Sequence, residues 1–185
     1  MAYLSEQSLQ EMRFKSIGKN VKISDKASIY DADKIEIGDN SRIDDFCVVS
    51  GRVLIGSFVH IAPFCLLAGG EKGIFMEDFS GLAYAVHIFS QSDDYSGESL
   101  TNPMIPAQYK FEKKATVTIR KHVVIGARSM VFPGVTIAEG CSIGAMSLVA
   151  KDTQPWGVYF GIPVRRLKER KKDLLQFEKE FLANL

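Results

Sequence analysis

Large aliphatic residues recur at a spacing of six over most of this 185-residue chain. Ile17, Ile23, Ile29 and Ile35 form one run. Ile37, Ile43, Val49, Ile55, Ile61 and Leu67 form a second, two residues out of step with the first. Met76, Leu82 and Ile88 make a weaker stretch, and Ile119, Ile125, Val131, Ile137, Ile143 and Val149 a strong final one. Six is neither the 3.6 of a helix nor the 2 of a lone strand. It describes a short strand and a tight turn, repeated, and three such units close a triangular coil of about 18 residues. Stacked coils bury one continuous core, each touching only its neighbours.

A second column supports the first. Four residues after the aliphatic stands a small or β-branched residue: Ser41, Cys47, Val53, Val59 and Cys65, then Val123, Ser129, Val135, Cys141, Ser147 and Thr153. Cys47 and Cys65 are 18 apart and should stack on consecutive coils. All three cysteines thus read as small inward hydrophobes. Their odd number argues against a disulfide framework, and the lack of a CxxC pair against a thiolate zinc site.

The fold expected is an all-β solenoid of about six coils over residues 17–162. A polar excursion at 89–115 interrupts it, and so long a loop in a compact domain is usually functional. Residues 1–16 form an N-terminal segment with a short helix capped by Ser5. Residues 163–185 read as an amphipathic C-terminal helix, with Leu167, Leu174, Leu175, Phe181, Leu182 and Leu185 at helical spacing. A net charge of +1 supplies no field for nucleic acid or an anionic membrane. No apolar run approaches the roughly 20 residues of a membrane span. The first residues, MAYLSEQSLQEMRFK, lack the apolar core of a signal peptide, so the cytoplasm is the expected location.

Residues 119–168 carry repeated [IV]-G-A/x units, then V-x-K-D-x-x-P, then G-x-P-x-R. This ordered set resembles the C-terminal half of hexapeptide-repeat acetyltransferases, and GSFVHIAPFCLLAGG is similar to sugar acyltransferases of polysaccharide synthesis. The resemblance implies a left-handed parallel β-helix, a homotrimer with sites between subunits, and acetyl-CoA as donor. It implies direct transfer to the acceptor, commonly with a histidine base.

On that footing Gly126, Ala127, Gly144 and Ala145 are the expected pantetheine contacts, or else ordinary turn residues of the repeat. Lys151 and Arg165, with Lys168, match positions that meet the phosphates of CoA. Trp156 reads as a cover for the solenoid end. Of the three histidines, His60 and His87 each precede an inward aliphatic and so face outward. Both are candidate bases, whereas His122 reads as a surface residue of a turn. Galactoside-type members place their histidine five residues beyond the aliphatic that opens the loop. Here that residue is Asp93, followed by Asp94, and either is a candidate to orient an acceptor or take its proton. Tyr95, Glu98 and Asn102 are candidate acceptor contacts. A second departure is Val124, where several members have a tryptophan.

The leading expectation is an O-acetyltransferase acting on a sugar. The missing loop histidine keeps open N-acetylation of a nucleotide-linked amino sugar, since a neutral amine needs a weaker base. Antibiotic acetylation, a zinc-binding β-helix and a non-catalytic scaffold are the remaining alternatives. No metal is expected, because a zinc site requires histidines that converge.

Overall fold

The computed structural model describes residues 2–185. Three flat faces of parallel strands wind into a triangular prism. Face one stacks Ser16–Ile17, Ile35–Ile37, Val53–Ile55, Ile74–Met76, Val117–Ile119 and Thr136–Ile137. Face two begins at Lys22–Ile23, runs through Arg42–Ile43, His60–Ile61, Gly81–Leu82, Val124–Ile125 and Ser142–Ile143, and ends on Gly157–Gly161 and Val164–Glu169. Face three stacks Ser28–Ile29, Val48–Ser50, Leu66–Ala68, His87–Phe89, Met130–Val131 and Leu148–Val149. Six coils are therefore complete, and Gly157–Gly161 opens a seventh.

The period of six places the core. Ile23, Ile35, Ile61, Leu67, Ile74, Met76, Ile88, Ile119, Ile125, Val131, Ile137 and Val149 are fully buried. The small column is buried with them, the three cysteines included. Each thiol points at a carbonyl of its own coil or the next: Cys47 Sγ lies 3.1 Å from Ala62 O and Cys65 Sγ 3.1 Å from Ala83 O. At roughly 25 cal/mol per Å² of apolar surface, this continuous strip is the main stabilising term of the fold.

Three turns join the faces: turn I from face one to two, turn II from two to three, turn III from three to the next coil. One residue of each turn I adopts positive φ: Asn20, Asn40, Phe58, Phe79, His122, Gly140 and Trp156, between +53° and +69°. Bulky residues are strained there. Stacking between coils offsets the strain. Asn20 Nδ2 donates to Asn40 Oδ1 at 2.9 Å. The Phe58 and Phe79 rings stack at 4.8 Å, and Phe79 stacks on His122 at 5.4 Å. Trp156 lies over Gly140, where any β-carbon would meet the indole, so it covers the end of this ladder.

The ends partly depart from the sequence expectation. The first helix is Glu6–Glu11, with Ser5 Oγ accepting from Ser8 N at 3.1 Å. Residues 163–185 are not one helix: Val164–Glu169 is a strand, antiparallel to Gly157–Gly161, and the helix is only Leu174–Leu182. The Gly161–Pro163 turn folds the chain back, so Leu167 is an exposed strand residue. The helix then lies along the turn I ladder. Phe181 meets Phe58 edge-on at 5.3 Å, and Glu178 Oε2 lies 2.8 Å from His122 Nε2. His122 is thereby buried, at 7% exposure, rather than on the surface. No helix among the described residues is long and apolar enough to cross a membrane.

Candidate active site

The coil geometry distributes the expected residues over three edges. Gly126–Ala127 and Gly144–Ala145 occupy turn II of coils five and six, directly stacked, with Met146 N donating to Ala127 O at 2.8 Å. Both glycines are required by this stacking. A β-carbon on Gly126 would lie 2.4 Å from Ala145 N, and one on Gly144 2.5 Å from the Phe160 ring. Ala145 is exposed and Ala127 half-buried, so this edge offers small side chains to an extended ligand. Lys151 follows face three of coil six and is exposed. Arg165 and Lys168 lie on the last strand of face two, also exposed, opposite Phe160 and Val158. The structure places Arg165 and Lys168 on one strand and Lys151 on a separate turn of the same end.

The excursion leaves from turn III of coil four. Its root is an antiparallel pair, Gln91–Ser92 with Lys113–Lys114. Inside it the two aspartates diverge. Asp94 organises the loop: Oδ1 accepts from Ser96 N at 2.8 Å, and Oδ2 from Ser99 N and Ser99 Oγ, each at 3.0 Å. Hydrogen bonds from Ser96, with smaller ones from Ser99, outweigh the opposing effect of burial and hold its carboxyl at about 2. It is a fixed anion, poorly suited to take a proton near neutrality. The carboxylate of half-buried Asp93 has no hydrogen bond or ion pair among the described residues. Tyr95 is 92% exposed and Glu98 exposed, whereas Asn102 Oδ1 is spent on its own turn, accepting from Met104 N at 3.0 Å.

The two histidines lie on different faces. His87 projects from face three, half-buried between Leu66 and Met130 of the adjacent coils, with its ring 6.2 Å from Phe89. It opens the strand that joins turn II of coil four to the excursion. His60 projects from face two and belongs to a network that the sequence reading missed. Asp44, 2% exposed, accepts from Arg42 Nε at 2.5 Å and Nη2 at 2.9 Å, and its Oδ2 lies 2.8 Å from His60 Nε2. Burial pushes the Asp44 carboxyl up, but its hydrogen bonds to Arg42 and His60 outweigh this and hold it below the usual range. A signal was available: Arg42 and His60 are 18 apart, and therefore in register on neighbouring coils. Among the described residues, no three of His, Cys, Asp and Glu gather to hold a metal ion.

A model of bacterial transferase hexapeptide repeats matches residues 34–69. Over 184 residues, 98% of this chain and 95% of the relative, the sequence is 46% identical to a dTDP-4-amino-4,6-dideoxy-D-glucose acyltransferase of Escherichia coli. The chain belongs to the hexapeptide-repeat acyltransferases. This acyltransferase superimposes at TM-score 0.97 on AntD, an N-acyltransferase from Bacillus cereus solved with dTDP and 3-hydroxybutyryl-CoA, with 48% identity and coverage of 98% and 97%. A serine variant of AntD, solved with dTDP-4-amino-4,6-dideoxyglucose and coenzyme A, gives TM-score 0.98 over 100% and 99% of the two chains. The solenoid of this acyltransferase is accordingly the left-handed parallel β-helix of the family.

Proposed function

We propose that this acyltransferase moves an acyl group from acyl-CoA to the amino group of a dTDP-linked 4-amino-4,6-dideoxy sugar. The observation that carries this reading is similarity over nearly the whole chain, at 46% and 48% identity, to a dTDP-4-amino-4,6-dideoxy-D-glucose acyltransferase and to an N-acyltransferase solved with dTDP. It displaces the hydroxyl acceptor that the sequence alone put first. The loop chemistry agrees, since an amine nucleophile does without the strong base that galactoside-type histidines supply.

The reaction needs a neutral amine, a thioester carbonyl and somewhere for two protons. The ammonium form of the acceptor gives one proton to a base. The neutral nitrogen attacks the carbonyl carbon, and the tetrahedral oxyanion collapses with loss of the CoA thiolate, which takes up the second proton. Asp93 is suited to hold the ammonium, being the loop carboxylate that no neighbour claims. His60 and His87 are the alternatives for the first proton. Turn II of coils five and six would carry the pantetheine, and Lys151, Arg165 and Lys168 the phosphates of CoA.

The site draws on more than one chain in this reading. Turn II and the excursion stand at opposite edges of face three. From coil two onward the outward row of that face, Val48, Leu66, Met130 and Leu148 around His87, is apolar. A homotrimer would cover such a surface and bring one chain's loop to another chain's turn II. A cytoplasmic location is part of this proposal. Acyl transfer to the amino sugar, followed by CoA thiol release, tests the proposal; binding of both substrates without transfer would refute it.

A further inference from the structure

Face two presents an outward row in register over coils two to six: Arg42, His60, Gly81, Val124 and Ser142. Gly81 interrupts it. Neither backbone nor packing demands a glycine there. Its φ is not positive, and the nearest atom to an added β-carbon would be His60 O at 3.6 Å. The missing side chain leaves a hollow between His60 and Val124, part of a cavity of about 490 Å³ that Phe58, Phe79 and Phe181 also line. This lies within the roughly 300–1,000 Å³ of small-molecule sites. The hollow adjoins turn II from the side of face two. His60–Ile61 runs into turn II of coil three, and Val124–Ile125 into Gly126–Ala127.

The imidazole beside the hollow is held from behind. Asp44 accepts two hydrogen bonds from Arg42, and its other contact is His60 Nε2 at 2.8 Å. Nε2–H is thereby spent on Asp44, and Nδ1 is the ring nitrogen that no neighbour claims among the described residues. The side chain of His60 is 52% exposed, so this nitrogen is open to a ligand, while its carboxylate is 2% exposed and shielded from solvent. His87 has no carboxylate partner among the described residues, and its ring contact is Phe89. Of the two outward histidines, only His60 combines a fixed tautomer with open space beside it.

We infer that His60 is the catalytic residue that carries a proton from nitrogen to sulfur, and Asp44 the positioning residue that holds its ring. Nδ1 takes the proton that leaves the acceptor nitrogen as the C–N bond forms, and Nδ1–H returns it to the CoA sulfur as the C–S bond breaks. The inference rests on the reading of the reaction as acyl transfer to an amine. Steady-state kinetics of the wild type, H60A, D44N, D44E, D44N/H60A and G81L test it, together with ¹⁵N NMR of the His60 ring. D44N is expected to lower kcat about tenfold or more with both KM values little changed, and D44E to recover part of the loss. D44N should add nothing to H60A, since the two residues act as one unit. The ring should be the Nε2–H tautomer in the wild type and a mixture in D44N. G81L fills the hollow, and should keep CoA binding and lose transfer. An undiminished kcat in D44N or in G81L would overturn the inference, as would a D44N effect that persists in full on H60A. Should D44N not fold, H60A and G81L leave the Arg42–Asp44 pair intact and decide the question alone. A wild type that binds CoA but acylates no amine would instead overturn the reading of the reaction.

Discussion

His60 Nε2 and Asp44 Oδ2 stand 2.8 Å apart, the imidazole half exposed and the carboxylate almost wholly buried. A carboxylate only accepts, so Nε2 carries the hydrogen and a neutral His60 has its lone pair on Nδ1. If His60 is the base, His60→Ala lowers kcat by about 10²–10⁴-fold, far more than it alters CoA affinity. A loss below about threefold would transfer the role to His87 or Asp93.

Asp44 also governs an acid limb of stability. Its folded pKa lies below the unfolded value, so its contribution is complete above about pH 3.9 and is lost as pH falls through the folded value. Asp44→Asn should therefore lower the urea midpoint at pH 7 and have a smaller effect near pH 3. An equal effect at both pH values would contradict this.

The C-terminal strap has its own anchor. Arg170 Nη1 lies 2.7 Å from His122 O, 3.1 Å from Gly140 O and 3.3 Å from Cys141 O. Burial lowers its pKa, with the Cys141 side chain opposing weakly. Arg170→Ala leaves these buried carbonyls short of a donor and should cost about 1–3 kcal/mol. Trp156, the sole tryptophan, reports the loss through its fluorescence. Glu178 adds a pH limb. Burial pushes its pKa up, and Lys121 and His122 pull it below the glutamate range on balance. The strap accordingly loosens as pH falls through that lowered value, not on the alkaline side.

Two glycines at different positions of the repeat, Gly126 just after its inward aliphatic and Gly81 just before its own, should behave differently. Gly126→Ala drives a β-carbon to 2.4 Å from Ala145 N, in backbone that can yield only by parting two coils. A cost of about 1–3 kcal/mol is expected. At Gly81 the nearest atom to a β-carbon is His60 O at 3.6 Å, so Gly81→Ala should be nearly neutral. Thermal denaturation of the two variants separates them, and equal losses would refute the stacking argument.

The loop aspartates are separable by the same logic. Asp94→Ala should increase protease cleavage around residues 94–99, because three hydrogen bonds end on that carboxylate. Asp93→Asn should leave cleavage unchanged and lower the rate of amine acylation. A fast Asp93→Asn enzyme would remove that residue from the site.

The solenoid was legible because its core obeys a one-dimensional rule: a residue six positions on repeats the environment of the last. Ile61, Cys65 and Gly126 could be placed from spacing alone. His122 could not, since its burial depends on Glu178, 56 residues away, folding back across turn I. The strand Val164–Glu169 was hidden by a helical spacing of leucines, although Gly161 and Pro163 mark a hairpin turn. The Arg42–Asp44–His60 network was readable in principle from the coil length. The relation between loop and donor edge was not, because face three separates them within one chain.

The central claim is acylation of an amine on a sugar nucleotide. CoA thiol release should be followed with acetyl-CoA and 3-hydroxybutyryl-CoA against dTDP-4-amino-4,6-dideoxyglucose and its 4-hydroxyl counterpart. Release with the amine and none with the hydroxyl is the predicted result. Turnover confined to the hydroxyl sugar, with the amine bound but inert, would contradict it.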